Sequence, residues 1–255
     1  MLLHITTPRS RFNEYPLRVL SVAFLILWTA SAQALEVSRL FTDHAVLQRE
    51  RPVSVWGWGQ PGEQVRVEFA GQAARALVNE DGEWRATLQP LKLNSKPQQL
   101  VVSTDGERIV KDNILVGDVW LCAGQSNMAM TFQIPQLPCD VPAFVKPDDF
   151  PNIRHIAVKP QRTRGKDKIP GLTPQKRLEP KQVPNAWTVC RSDTYKRFTA
   201  TGFFFAYTLA DEVDVPIGLL NVTQGNTRIG SWVSEESIGL VKAEVPRKSF
   251  RAVYS

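Results

Sequence analysis

A serine flanked by two amides follows a glycine at the end of an apolar run, in Gly117-Asp118-Val119-Trp120-Leu121-Cys122-Ala123-Gly124-Gln125-Ser126-Asn127-Met128. A serine hydroxyl attacks a carbonyl when a base takes its proton and N–H groups receive the negative charge that develops on the carbonyl oxygen. The hydroxyl here is Ser126, with Gln125 and Asn127 beside it as further candidate site residues. A second glycine-bearing turn, Thr223-Gln224-Gly225-Asn226-Thr227, offers backbone N–H groups at Gly225 and Asn226. A base is harder to find. The histidines are His4, His44 and His155. His4 lies in an amino-terminal leader, His44 sits beside Asp43, and His155 falls in the middle of an apolar run, where a core role is the simpler reading. Gly-Gln-Ser-Asn also suits an ordinary polar turn, so the residues alone leave both readings open. No metal-ligand spacing appears, and acyl transfer to serine needs no cofactor.

Ser126 has to be presented by a strand. Val119 to Ala123 has the length and composition of a buried strand, and Gly124 ends it. Residues 113–134 then read as strand, turn and a first helical segment. Asn152 to Val158 reads as one strand, and Thr199 to Val213 as a helix with a wide apolar face through Phe203, Phe204, Ala206, Tyr207 and Leu209. Pro216 opens a strand over Ile217 to Val222 that runs into the Gly225 turn. Strand, helix and strand in alternation predict a parallel sheet, with the carboxyl ends of both strands on one edge. Ligands of open α/β sheets bind at that edge.

Residues 36–112 read as all-β. Val53, Val55, Val65, Val67 and Phe69 alternate with polar residues, and breaks fall at Gly59–Gly62, Glu80–Glu83 and Thr104–Glu107. Asp81-Gly82 and Asp105-Gly106 each read as hairpin turns. The spacing suggests a small sandwich or jelly-roll. Trp56, Trp58 and Trp84 are either packing residues, the favoured reading, or a platform for sugar rings. Trp232 to Ser255 opens as a further helix.

The 255 residues carry a net charge of +6, with 43% hydrophobic and 22% charged side chains, which excludes bulk disorder. Much of the positive charge crowds a proline-rich stretch holding Lys159, Arg162, Arg164, Lys166, Lys168, Lys176, Arg177 and Lys181. Without aromatics or a reader fold it is a solvated loop rather than a nucleic-acid surface. Arg9, Arg11 and Arg18 precede an apolar run, Val19 to Trp28, and then Ala30-Ser31-Ala32-Gln33-Ala34. That pattern predicts a signal peptide over residues 1–34 and export of the remainder, an uncleaved anchor being the alternative. The run falls short of the about 20 apolar residues of a membrane span, so no stable span is expected after cleavage. Three cysteines make no disulfide framework. Cys122 reads as a buried thiol, and Cys139 and Cys190 flank the proline-rich basic stretch, where an oxidising compartment could pair them.

Gly124-Gln125-Ser126-Asn127-Met128 after Val116-Gly117-Asp118-Val119-Trp120-Leu121-Cys122 resembles the first block of the SGNH hydrolases, specifically the sialate O-acetylesterase family of carbohydrate esterases. Leu40 to Arg49 and Val53 to Gly59 resemble that family's amino-terminal module. Phe203 to Ala206 and Pro216 to Asn221 resemble its later segments. The resemblance implies an α/β protein with an amino-terminal β-sandwich (jelly-roll-like) module, 36–112, followed by a partial SGNH-type parallel-sheet α/β domain, 113–255. It implies Ser126 as nucleophile and donor of its own N–H, and Gly225 as a backbone donor to the same oxyanion. The family's Gly-Gly-Thr is here Gly225-Asn226-Thr227, and Gln224 replaces its usual aromatic. Asn tolerates the left-handed region better than most residues, so Asn226 can partly stand in for the second glycine. The family's Gly-Glu-x-Asn and Asp-x-x-His blocks have no match in this sequence. The expectation is therefore an incomplete esterase acting on acetylated carbohydrates such as sialic acid, weak alone, and completed by a separate polypeptide with the carboxyl-terminal half. The alternatives are a secreted carbohydrate-binding protein and a non-functional fragment.

Overall fold

A computed structural model of the chain describes residues 33–133, 141–143, 145–158, 186–227 and 232. Residues 1–32 of the leader expected over 1–34, the basic stretch from Lys159 to Lys181, Cys139 and the expected helix after Trp232 lie outside the described residues. The fold is a mixed-sheet α/β arrangement made mostly of strands.

The amino-terminal part supplies β1 (Glu36–Val37), β2 (Val46–Gln48), β3 (Val53–Trp58), β4 (Gln64–Phe69), β5 (Gln72–Leu77), β6 (Glu83–Leu88) and β7 (Asn94–Ser103). Alternation does the sorting. In β3, Val53 and Val55 point inward while Trp56 and Trp58 stay half-buried on the other face. β1, β3 and β6 form a three-stranded antiparallel sheet. Its inner face shares one core with β4 and β7, through Val55, Leu88, Val65, Val67, Leu100 and Val102. Trp84 is buried and donates from Nε1 to Trp58 O at 3.1 Å. Trp56 meets the Phe41 ring edge-on at 4.9 Å and lies beneath the Arg85 guanidinium at 5.4 Å. Both indoles are thus packing residues, as favoured.

One of the two hairpin expectations holds and the other changes. Asp105-Gly106 joins an antiparallel pair, with Ser103 opposite Arg108. Asp81-Gly82 does not form a hairpin, because it carries the chain from β5 in one sheet to β6 in the other. A hairpin that the sequence does not announce joins β4 to β5, with Ala70 and Gly71 both at positive φ, 50° and 76°. That is the backbone of a type I′ turn, although alanine is a poor residue for it.

The longest strand among the described residues is β8 (Arg108–Gly124), which extends before the apolar run at Val119 and before residue 113, where the sequence reading begins it. Its neighbours change along its length and account for this. Arg108 to Val116 pairs with β7 antiparallel, and Leu115 to Gly117 pairs with β2 parallel. Asp118 to Gly124 pairs in parallel with β11 (Ile217–Thr223), which in turn pairs in parallel with β9 (Ile153–Val158). β10 (Thr188–Val189) closes that edge antiparallel to β9, so the sheet is mixed rather than wholly parallel. The described residues belong to one compact unit, and the expected boundary at 112/113 falls inside β8.

Two short helical elements matter for the site: α1 (Ser126–Ala129) and α2 (Ala200–Glu212). α2 begins where Thr199 accepts from Gly202 N, and it buries Ala200, Gly202, Phe203 and Ala206. These residues pack on the face of the parallel strands that carries Cys122, Ile153, Ile217 and Leu219. On the opposite face, Ile156 and Leu220 join Trp187 and the core of the amino-terminal sandwich.

Candidate active site

The carboxyl end of β8 delivers Ser126. Gly124 has φ +148°, a backbone region that L side chains rarely adopt, and a Cβ there would stand 3.4 Å from Met128 Cβ. The glycine therefore turns the chain out of the sheet within one residue. α1 follows as a single turn, with Ala129 N donating to Gln125 O at 3.0 Å and Met130 N to Ser126 O at 3.1 Å. Ser126 is half-buried, and its Oγ donates to Gln125 Oε1 at 3.1 Å. Gln125 and Asn127 are exposed. The N–H groups of Ser126 and Asn127 have no acceptor among the described residues, as expected for the open first turn of a helix.

The second turn arrives at the same edge. Thr223 lies opposite Gly124, and Gln224 N donates to Gly124 O at 3.0 Å. Thr227 Oγ1 closes the turn on Gln224 O at 2.8 Å and accepts from Trp232 Nε1 at 2.9 Å. Asn226 has φ +61°. The residue in the place of the family's second glycine therefore occupies the left-handed region, as its side-chain chemistry permits. Ser126, Gln125, Asn127, Gly225 and Asn226 thus meet at one sheet edge.

Neither described histidine, His44 or His155, joins them. His155 is 4% exposed, stacks on Phe198 at 4.7 Å and lies in register with Leu219 and Trp120. That row is about 13 Å of strand below Gly124, at roughly 3.3 Å per residue. Burial pushes its pKa down to about 4. His44 accepts at Nδ1 from Asn113 Nδ2, 2.9 Å away, near the other end of β8. Asn113 in turn receives both Arg154 Nη groups, on its backbone and side-chain oxygens. Among the described residues, no histidine or carboxylate hydrogen-bonds to Ser126 and no cluster suits a metal ion.

Cys122 is buried, and desolvation pushes its thiol up to about 11, which leaves it inert as expected. Cys190 is a buried thiol with no disulfide partner among the described residues, raised to about 12 by burial and by Asp148. The sequence places Thr199 only as the first residue of a helix, although a Thr immediately before a helical pattern is the usual cap signal. Its buried hydroxyl donates to Met128 O at 2.6 Å and so touches the Ser126 turn.

A glycine-ended strand that presents a serine turn beside a second parallel strand end defines an α/β protein with two loops at one sheet edge. The model of the family described as carbohydrate esterase, sialic acid-specific acetylesterase, matches residues 116–248. The sialate O-acetylesterase of Pongo abelii is 28% identical over 233 residues, covering 84% of this chain and 42% of that protein. The Homo sapiens sialate O-acetylesterase is 27% identical with the same coverage. A crystal structure of a carbohydrate acetylesterase from Xanthomonas citri superposes with a TM-score of 0.65 at 32% identity, covering 80% of this chain and 44% of that one. The chain belongs to the sialic acid-specific acetylesterase family of carbohydrate esterases. It spans less than half the length of the relatives it matches.

Proposed function

We propose that this chain carries the nucleophile portion of a serine-dependent carbohydrate O-acetylesterase. The observation that carries the reading is the meeting of the Ser126 turn with the Gln224–Asn226 turn, joined by Gln224 N and Gly124 O at 3.0 Å. In this reading Ser126 Oγ bonds to the acetyl carbonyl carbon while its proton passes to a base. The N–H groups of Ser126 and Gly225 receive the oxyanion. The ester C–O bond then breaks, the sugar oxygen takes the proton, and water releases acetate from the acetyl-serine. The substrate class is an O-acetylated sugar, with sialic acid one candidate.

The base comes from outside the described residues. Leu121 is 64% exposed and Trp120 42% exposed. Past Gly117, no described strand pairs with β8 on the side away from β11. Such an apolar, half-paired strand supports completion by further polypeptide that corresponds to the unmatched part of the relatives. The same reading takes residues 1–34 as a signal removed on export, 36–112 as a jelly-roll-like sandwich and 113–255 as part of an SGNH-type domain.

The test is hydrolysis of an aryl acetate by the full chain and by its Ser126→Ala variant. The chain alone should release acetate near the background rate. A Ser126-dependent rate should appear once the carboxyl-terminal half of a relative is added. A full Ser126-dependent rate from the chain alone would refute the missing base, and a restored rate unchanged in Ser126→Ala would refute the nucleophile.

A further inference from the structure

We propose that Thr199 is a positioning residue for the nucleophile turn, an inference that rests on Ser126 being the nucleophile. A one-turn helix has little stability of its own, because nucleation is the costly step, and its last carbonyls have no partners within it. α1 therefore takes its placement from elsewhere. Three consecutive residues at the start of α2 provide it. Thr199 Oγ1 donates to Met128 O at 2.6 Å, Ala200 N donates to Met130 O at 2.8 Å, and Thr201 Oγ1 donates to Asn127 O at 3.4 Å. Three backbone carbonyls just after Ser126 are thus held by one helix start.

Thr199 is the member of this set that acts through a buried side chain, with 0% exposure. Its hydroxyl has two tasks. It gives its proton to Met128 O, and its oxygen receives Gly202 N at 3.4 Å as the cap of α2. The position of Ser126 and the start of α2 therefore share one oxygen atom. The threonine methyl is fitted as well, since a Cβ added at Gly202 would stand 2.7 Å from Thr199 Cγ2. Behind Gly202 lies Leu219 on β11, whose Cδ1 would be 3.6 Å from the same Cβ. The contacts run from β11, through α2 and Thr199, to the serine turn. Thr199 thereby fixes Ser126 relative to the strand whose end carries Gly225.

The test compares amide hydrogen exchange in the full chain and two variants. Thr199→Val keeps the shape and removes the hydroxyl; Thr199→Ser keeps the hydroxyl and removes the methyl. In Thr199→Val the amides of Ala129 and Met130 should exchange about tenfold faster, the size of one lost hydrogen bond at a buried carbonyl. Amides within β8 and β11 should be unchanged, and Thr199→Ser should match the wild type at Ala129 and Met130. Unchanged exchange in the valine variant, an equal rise throughout the sheet, or a serine variant that behaves like valine would each overturn the proposal. Should the valine variant not fold, Thr199→Ser is decisive alone, because faster exchange at those two amides refutes the role of the hydroxyl. The exchange result is independent of catalysis. Activity that survives Ser126→Ala would defeat the nucleophile and leave the tether standing, while a failed exchange result beside an inactive Ser126→Ala would defeat only the tether.

Discussion

Gly117 sits where β8 passes from its pairing with β7 and β2 to its parallel pairing with β11, and Gly117→Ala tests how closely the chain is fitted there. A Cβ at this position would stand 2.0 Å from Pro216 O and 2.8 Å from both Pro216 C and Pro216 Cβ. The obstacle is mostly backbone, so no rotamer change relieves it. Asp118 N donates to the same Pro216 O at 2.9 Å, and Gly117 O accepts from Arg49 N at 2.8 Å. The start of β11 must then move by more than an ångström (roughly the gap to ordinary van der Waals contact), which weakens the Asp118 bond. Overpacking of this kind costs about 1–3 kcal/mol, and a weakened buried hydrogen bond adds about 1 kcal/mol. The total is about 2–4 kcal/mol. With a urea dependence of about 2 kcal/mol per molar, the unfolding midpoint falls by about 1–2 M. Tryptophan fluorescence in urea at pH 7 measures it. Gly106→Ala is the control: nothing lies within 4 Å of its Cβ position, and its stability should hold to within about 0.5 kcal/mol. If Gly117→Ala unfolds at the wild-type midpoint, the close approach of β8 to Pro216 is not a constraint and the account of this crossing fails.

Asn226, at φ +61°, should accept glycine without loss of thermal stability, whereas Asn226→Val should cost about 1–2 kcal/mol because a β-branched residue is strained in the left-handed region. His155 makes stability pH-dependent. Its folded pKa, lowered to about 4 by burial, lies below the unfolded value near 6.5, so the neutral ring is favoured in the fold. Its contribution is complete above about pH 6.5 and is lost as pH falls from there to about 4, some ~3 kcal/mol in all. His155→Phe, which keeps a ring against Phe198, should unfold in urea with a visibly flatter stability profile between pH 7 and pH 4.5. An unchanged profile would rule out burial of the neutral imidazole.

The readable parts of this fold were those written in local chemistry. The breaks at 59–62, 80–83 and 104–107, the helix after Thr199 and the strand after Pro216 all follow from turn residues and periodicity, and the structure has them. The edge shared by Gly124 and Thr223 followed from strand–helix–strand order alone. What the pattern could not convey was partnership. Asp81-Gly82 and Asp105-Gly106 are the same dipeptide, yet one joins paired strands and the other crosses between sheets. The difference lies in which strand each neighbour meets, not in the turn. The full extent of β8 was hidden because three successive partners bury different stretches of it, so no single period runs along its length. Thr199 was legible as a helix cap but not as the partner of Met128, a contact between residues 71 positions apart.

β8 also bears on how such a protein can be inherited. A recombination event that joined a new amino-terminal module at residues 112/113 would cut a strand of 17 residues in its interior. The incoming segment would have to reproduce the pairing of both β7 and β2. The exposed turn at Thr104–Glu107 is the tolerant place for a crossover, yet a crossover there still leaves the rest of the sandwich without the strand that completes it. The sandwich and the serine turn are therefore expected to pass between genes as one block, and to diverge together.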